Sequence, residues 1–175
     1  VQIPVAVKTS PYFSSPGHMA LQLAEAGADA LVLYNRFYQP DIDTVRLQLL
    51  SDLALSRSAD MRLPLLWLAV LHGRIGASLA ASTGVQTSDD VVKYLLAGAD
   101  VVMSTSALLT QGIGHLRTLL DGLSDWLEQR DMDTLHPMRG LLAQRNARRP
   151  EDYERANYIQ ILQGYSGIGA TTSGP

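Results

Sequence analysis

At 175 residues, with 14 Lys and Arg against 17 Asp and Glu and a formal net charge of −3, the chain has room for one domain with a sizeable core and lacks the basic footprint of a nucleic-acid binder. Hydrophobic residues make up 46% and cysteine is absent, which excludes disorder and, within this chain, disulfides, thiolate metal ligands and a cysteine nucleophile. Charged residues are only 18%, against about 25% in an average domain, so part of the surface is expected to lie under a partner.

Ile3 to Val7 is a short β-branched run within VQIPVAVK, which lacks the charged-then-apolar layout of a signal segment. SSPGHMALQLAEAG then offers Ser15 as N-cap, Pro16 at the first helical position and Gly27 just past the end. Ala30 to Leu33 reads as a second strand, and Tyr34 to Met61 as irregular and polar. LPLLWLAVLHG gives a helix with Pro64 near its start and Gly73 at its stop. Its apolar run, Leu65 to Leu71, is too short to cross a bilayer, so the expectation is a cytoplasmic protein with no membrane partner. Ile75 to Ala80 reads as the third strand. TSDDVVKYLLAG opens with a capping-box pattern, Thr87 with Asp90, and its acidic first turn suits the positive end of a helix. Ala99 to Met103 is the fourth strand and HLRTLLDGLSDWLEQR the fourth helix. Beyond residue 130, two short helices flank Arg148-Arg149-Pro150, and GIGATTSGP reads as a flexible end. The expected organisation is four βα units over 1–130 and a helical extension over 131–175.

One internal echo stands out: helix-AGAD-strand occurs at Ala26 to Asp29 and again at Ala97 to Asp100. Strands apolar along their whole length and alternating with helices imply an α/β fold with a parallel sheet, either a barrel or an open doubly wound sheet. In both, ligands gather at the carboxyl ends of the strands. Those ends here are Lys8-Thr9-Ser10, Asn35-Arg36, Ser82-Thr83-Gly84 and Ser104-Thr105-Ser106. In the last two, small residues precede a helix and leave backbone N–H groups for an anion, so they form a candidate phosphate cradle. Each set also has a plainer reading as strand ends, turns and helix caps. His18, His72, His115 and His136 show no metal-ligand spacing, and Trp67 and Trp126 fall within predicted helices as packing residues.

IPVAVKTSPYF, GADALVLYNRFYQPDID, SLAASTGVQTSDDVVKYLLAGADVVMSTSALLTQG and RANYIQILQGY together span nearly the whole chain. In order and spacing they resemble the C-terminal half of the dihydroorotate dehydrogenase family, FMN flavoproteins built on a (β/α)8 TIM barrel. The resemblance implies strands five to eight of the barrel, and hydride transfer from a dihydropyrimidine such as dihydroorotate, the chemistry of pyrimidine biosynthesis. Position by position, it implies that Lys8 contacts the flavin ring on its N1 and O2 side and that Asn35 hydrogen-bonds the pyrimidine substrate. Thr83, Gly84 and Val85 after the seventh strand, with Thr105 and Ser106 after the eighth, are implied to bind the FMN phosphate.

Several departures accompany the likeness. The family's Gly-Gly pair of the seventh turn is Thr83-Gly84 here, its Gly-Thr of the eighth is Thr105-Ser106, and the glycine contact after the sixth strand is replaced by SDLALSRSADMRLP. A complete barrel takes about 250 residues, and the family's catalytic base lies on a loop after the fourth strand, so no residue of this chain is assigned that role. Half a barrel exposes two sheet edges and its inner strand faces. The exposed faces are expected to be covered by a second copy of the chain, by another polypeptide that supplies the first half, or by the rest of a longer protein of which the chain is a fragment; self-association into a homodimer or larger homo-oligomer around a small-molecule site is the favoured expectation. The alternative is a non-catalytic half-barrel module that binds a phosphate-bearing ligand or self-associates.

Overall fold

The two AGAD corners make the same connection. Asp29 N donates to Val5 O at 3.0 Å while its Oδ2 accepts from Val5 N at 2.7 Å; Asp100 N donates to Leu79 O at 2.7 Å while its Oδ2 accepts from Leu79 N at 2.8 Å. Each aspartate thus grips both polar groups of one residue on the preceding strand, at the end of the ladder where that N–H has no strand partner. The sequence echo is a carboxylate clamp used twice.

The computed structural model describes residues 1–154 and 157–164; the end read above as flexible, 167–175, and parts of RANYIQILQGY lie outside the described residues. In chain order the elements are β1 (Ala6–Lys8), α1 (Pro16–Glu25), β2 (Ala30–Leu33), β3 (Asp41–Asp43), β4 (Gln48–Leu50), α2 (Arg62–Leu71), β5 (Ser78–Ala81), α3 (Ser88–Ala97), β6 (Val101–Val102), α4 (Ser106–Gln111), α5 (His115–Glu128) and α6 (Asn157–Gly164).

Four strands form one parallel sheet in the order β1-β2-β5-β6, with Lys8 level with Val32, Val32 with Ala80, and Ala80 with Val101. Strand order follows chain order without reversal, which is the arrangement of a barrel wall and not of a doubly wound sheet. Val7, Leu31, Leu33, Leu79 and Ala81 point to the helices and share one core with Leu68, Tyr94 and Leu119. By alternation, Lys8, Val32, Ala80 and Val101 lie on the other face. The chain has the α/β fold of half a (β/α)8 barrel, with helices outside and an inner face whose edge member Val101 is 54% exposed.

Capping explains the helix boundaries. Thr87 and Asp90 form the capping box read from the sequence, and Pro16 opens α1 behind Ser15. Gly98 ends α3 at φ +115°, and a Cβ there would lie 2.5 Å from the His72 ring, whose Nδ1 sits 3.1 Å from Gly98 O. His72 is therefore a packing residue between α2 and α3.

Several elements differ from the reading: β1 is Ala6–Lys8 and not Ile3–Val7, and β6 is only Val101–Val102 within the expected Ala99–Met103. The third strand starts at Ser78 and not Ile75, because its neighbour β2 begins at Ala30 and Ser78 N is the first donor to reach it, at Asp29 O. The stretch 34–61 holds an antiparallel hairpin, β3 with β4, and a 3-10 turn at Ser58–Met61. The hairpin turns Ile42 and Leu49 outward, so no buried face imposed an alternating pattern on the sequence. The six-residue helix α4 is too short to display a helical period. The 131–154 segment lies across α3, with Gly140 N and Leu142 N donating to Leu95 O and Leu96 O, both at 2.9 Å. Among the described residues no helix is long and apolar enough to cross a membrane.

Candidate functional site

Parallel pairing brings all four strand ends to one edge, and the turns there are joined by specific hydrogen bonds. After β5 the backbone turns through two consecutive residues with positive φ, Thr83 at +88° and Gly84 at +81°. A β-branched residue is strained in that region, and here it is held from two sides. Thr83 Oγ1 donates to Tyr34 O at 3.2 Å, and the Tyr94 hydroxyl donates to Thr83 O at 2.7 Å. The turn after β6 is tied to the same place, since Ser104 Oγ donates to Val85 O at 3.0 Å. Gly84 must be glycine for space as well as for φ: a Cβ would lie 2.5 Å from Met61 Cγ and 2.9 Å from Arg57 O.

Between the two turns sits Ser56, from the stretch that replaces the expected glycine contact. Gly84 N donates to Ser56 Oγ at 3.1 Å, and Ser56 Oγ lies 2.7 Å from Ser106 Oγ. Ser56 N donates to Ser106 Oγ at 3.2 Å, and Gln86 Nε2 donates to Ser56 O at 2.7 Å. The candidate phosphate cradle thus converges on a buried hydroxyl oxygen. Sequence reading missed this residue, because its partners lie 28 and 50 positions away and no periodicity marks it.

The other named residues are distributed around this junction. Val85 is buried in the core, so only its backbone is available to a ligand. Thr105 is exposed and precedes α4 without capping it through its side chain. Asn35 is exposed, donates its backbone N–H to Thr9 O at 2.7 Å, and lines a cavity of about 170 Å³ with Tyr12, Tyr34, Arg36 and Thr83. Lys8 projects from the inner sheet face, exposed, without a hydrogen bond or ion pair among the described residues. A further cavity of about 700 Å³ adjoins Ser56 and Ser106, with Arg36 and Arg57 balanced by Asp52 and Asp60. Burial pushes the Tyr34 phenol above its ordinary pKa, so it stays neutral beside this edge. Among the described residues no group of three or more His, Asp or Glu is placed to hold a metal ion.

No protein-family model matches the chain. Over 144 residues, 81% of its length, the chain is 26% identical to "Dihydroorotate dehydrogenase B (NAD(+)), catalytic subunit" of Petrotoga mobilis, of which it covers 48%. The protein of the same name from Thermoplasma acidophilum is 26% identical over 146 residues, 81% of this chain and 47% of the relative. The chain is thus similar to dihydroorotate dehydrogenase B catalytic subunits over about four-fifths of its length. A shorter likeness, 32% over 63 residues, links 36% of it to 15% of "Dihydropyrimidine dehydrogenase (NADP(+)), chloroplastic" from Arabidopsis thaliana. The chain spans about half the length of the curated dihydroorotate dehydrogenase relatives it matches, in keeping with four of the eight strands of a barrel.

Proposed function

We propose that the chain is the FMN-phosphate-binding half of a flavin oxidoreductase that takes hydride from a dihydropyrimidine such as dihydroorotate. The observation that carries this reading is the meeting of the two turns at one buried place, where Gly84 N donates to Ser56 Oγ at 3.1 Å and the Ser106 hydroxyl lies 2.7 Å from the same oxygen. A phosphoryl oxygen is an acceptor of the same kind, and paired turns of this type favour anions. The donor set therefore suits the phosphate end of FMN, with Thr83, Gly84 and Val85 on one side and Thr105 and Ser106 on the other.

When bound, FMN supplies the two-electron acceptor for the reaction. The chain's own residues bind and orient. Lys8 carries an unpaired cation on the inner face, where it stabilises the negative charge that develops on the N1 and O2 side of a reduced flavin. Asn35 offers one carbonyl acceptor and an amide donor, and its side chain has no protein partner among the described residues, which leaves both for the amide edge of a pyrimidine. Water is kept from the ring by whatever covers the inner face. We assign that cover to a second copy of the chain, because among the described residues β1 and β6 are unpaired edges and Val101 and Met103 are exposed there. The 131–154 segment lies against α3, outside the sheet, and is assigned no role in the chemistry.

A second reading, a non-catalytic half-barrel that binds a phosphate-bearing ligand, draws support from Thr83 at a strained position where the family has glycine. The deciding experiment is a visible spectrum taken across a size-exclusion peak with light scattering, followed by addition of dihydroorotate. A dimer or larger species with a flavin spectrum that bleaches supports the oxidoreductase. Flavin that stays oxidised selects the second reading, and a colourless species that takes up no added FMN ends the first.

A further inference from the structure

Two cavities at the strand-end edge share only Arg36 and Asp60 among their lining residues. The smaller, about 170 Å³, is lined by Asn35 and by the rings of Tyr12 and Phe37, whose centroids are 5.8 Å apart. The larger, about 700 Å³, reaches Ser106. Arg36 therefore stands between the residue read above as the pyrimidine contact and the phosphate side. Its guanidinium is held at one corner, where Nη1 donates to Ala54 O at 3.0 Å, while its 3.9 Å separation from Asp60 Oδ2 is too long for a hydrogen bond. That carboxylate oxygen accepts from Arg57 N at 2.8 Å instead, in the cap of the 3-10 turn. Of the five N–H donors of a guanidinium, those on Nε and Nη2 have no partner among the described residues.

We propose that Arg36 is the specificity-determining residue of the substrate site: its guanidinium takes the carboxylate of a dihydropyrimidine held by Asn35, so that the site prefers dihydroorotate to dihydrouracil, the same ring without that carboxylate. The inference rests on the oxidoreductase reading above and adds which dihydropyrimidine the site selects. The likenesses to dihydroorotate dehydrogenase and to dihydropyrimidine dehydrogenase leave that choice open. Three observations carry it. Asn35 and Arg36 are consecutive and line one small cavity, within reach of a single ring and its substituent. The unspent N–H groups on Nε and Nη2 form a fork that matches the two oxygens of a carboxylate. Asp60 shares the cavity wall but has its Oδ2 committed to Arg57 N, so it attenuates the attraction without occupying that fork. A ring that lacks the carboxylate leaves the guanidinium donors unpaired in the cavity, which is the physical basis for rejecting it.

The test titrates orotate and uracil, the oxidised rings with and without the carboxylate, into the full chain and its Arg36→Gln and Asp60→Asn variants by calorimetry. Each titration is run with and without saturating FMN, whose own uptake is measured on the same samples. Orotate is expected to bind the unmodified chain about tenfold tighter than uracil, the scale of charge-assisted hydrogen bonds to one group. Arg36→Gln is expected to bring orotate down to the affinity of uracil while leaving uracil and FMN unchanged. Asp60→Asn keeps an oxygen for Arg57 N and removes the competing charge, so it is expected to tighten orotate about threefold and leave uracil alone; it also covers the case of an Arg36 variant that folds poorly. Equal affinities for the two rings in the unmodified chain, binding of neither, or orotate affinity unmoved by Asp60→Asn overturns the inference. An Arg36→Gln variant that weakens both rings alike, or that weakens FMN and not orotate, overturns it too. FMN uptake decides the cofactor reading separately: its presence keeps that reading when the orotate preference fails, and its absence beside an intact, Arg36-dependent preference overturns that reading alone.

Discussion

Tyr94, fully buried on α3, donates its hydroxyl to the carbonyl of Thr83 at 2.7 Å and so couples the outer helix layer to the turn that carries the candidate cradle. Burial first, and then the nearby Asp90 and Asp60 carboxylates, push this phenol above its ordinary pKa and keep it a donor. Tyr94→Phe is expected to cost about 1 kcal/mol of stability, the net worth of one buried hydrogen bond, and to weaken FMN binding by loosening Thr83. Thermal melts and FMN titration check it; unchanged affinity would separate the helix from the site.

Thr83 itself stores strain. A β-branched side chain at φ +88° sits in a region that costs about 1–3 kcal/mol, against one side-chain bond to Tyr34 O gained in return. Thr83→Gly is expected to raise the melting temperature, with Thr83→Val lowering it through loss of the hydroxyl bond at unchanged backbone cost. A lower melting temperature for the glycine variant would show that the Tyr34 bond outweighs the strain.

Asp90 is almost wholly buried, and its Oδ2 accepts from Ser58 Oγ at 2.7 Å and from Gln86 N and Thr87 N at 3.1 Å. Burial alone would raise its pKa, but these three donors outweigh it and hold the carboxyl below its ordinary value. Because the folded-state value is the lower one, its stabilisation is complete above the ordinary carboxylate pKa of about 3.9 and is lost as pH falls through the folded value. Asp90→Asn is expected to lose about 2 kcal/mol at neutral pH and to show a shallower loss of stability on acidification. Denaturant melts at pH 7 and pH 3 check both.

The twin clamps should differ in worth. Asp100 serves Leu79, which is 3% exposed, and also pairs with Arg139 at 3.1 Å, whereas Asp29 serves Val5, which is 37% exposed. Removing a buried acceptor leaves its donor unsatisfied, while an exposed one regains water. Asp100→Ala is expected to cost about 2 kcal/mol and Asp29→Ala under about 1 kcal/mol. Equal losses would show that strand-end burial does not set the cost.

Lys8 offers the opposite pattern. It is exposed and unpaired among the described residues, so Lys8→Met is expected to leave stability unchanged. If it faces the flavin as proposed, the same variant lowers dihydroorotate-dependent flavin bleaching by about 10²-fold, the usual effect of removing one group that stabilises developing charge. Single-turnover reduction monitored by absorbance measures it.

The parallel α/β layout, the helix boundaries at Pro16, Thr87 and Gly98, and the repeated AGAD corner are legible in the chain alone, because each of these depends on neighbours a few residues away. It also carried the likeness to dihydroorotate dehydrogenases, visible in whole segments and matched by relatives about half of whose length the chain covers. The stretch from Tyr34 to Met61 takes its form from contacts far along the chain. There a hairpin with outward apolar side chains shows no alternation between a core and a solvent face, and a single serine reaches turns 28 and 50 residues ahead. Ser104, Ser106, Thr83 and Gly84 were legible as strand-end residues, but that their turns close on Ser56 was not. A hydrogen bond across such a separation leaves no period and no spacing rule in the chain; it exists only once the sheet has set the strand ends side by side.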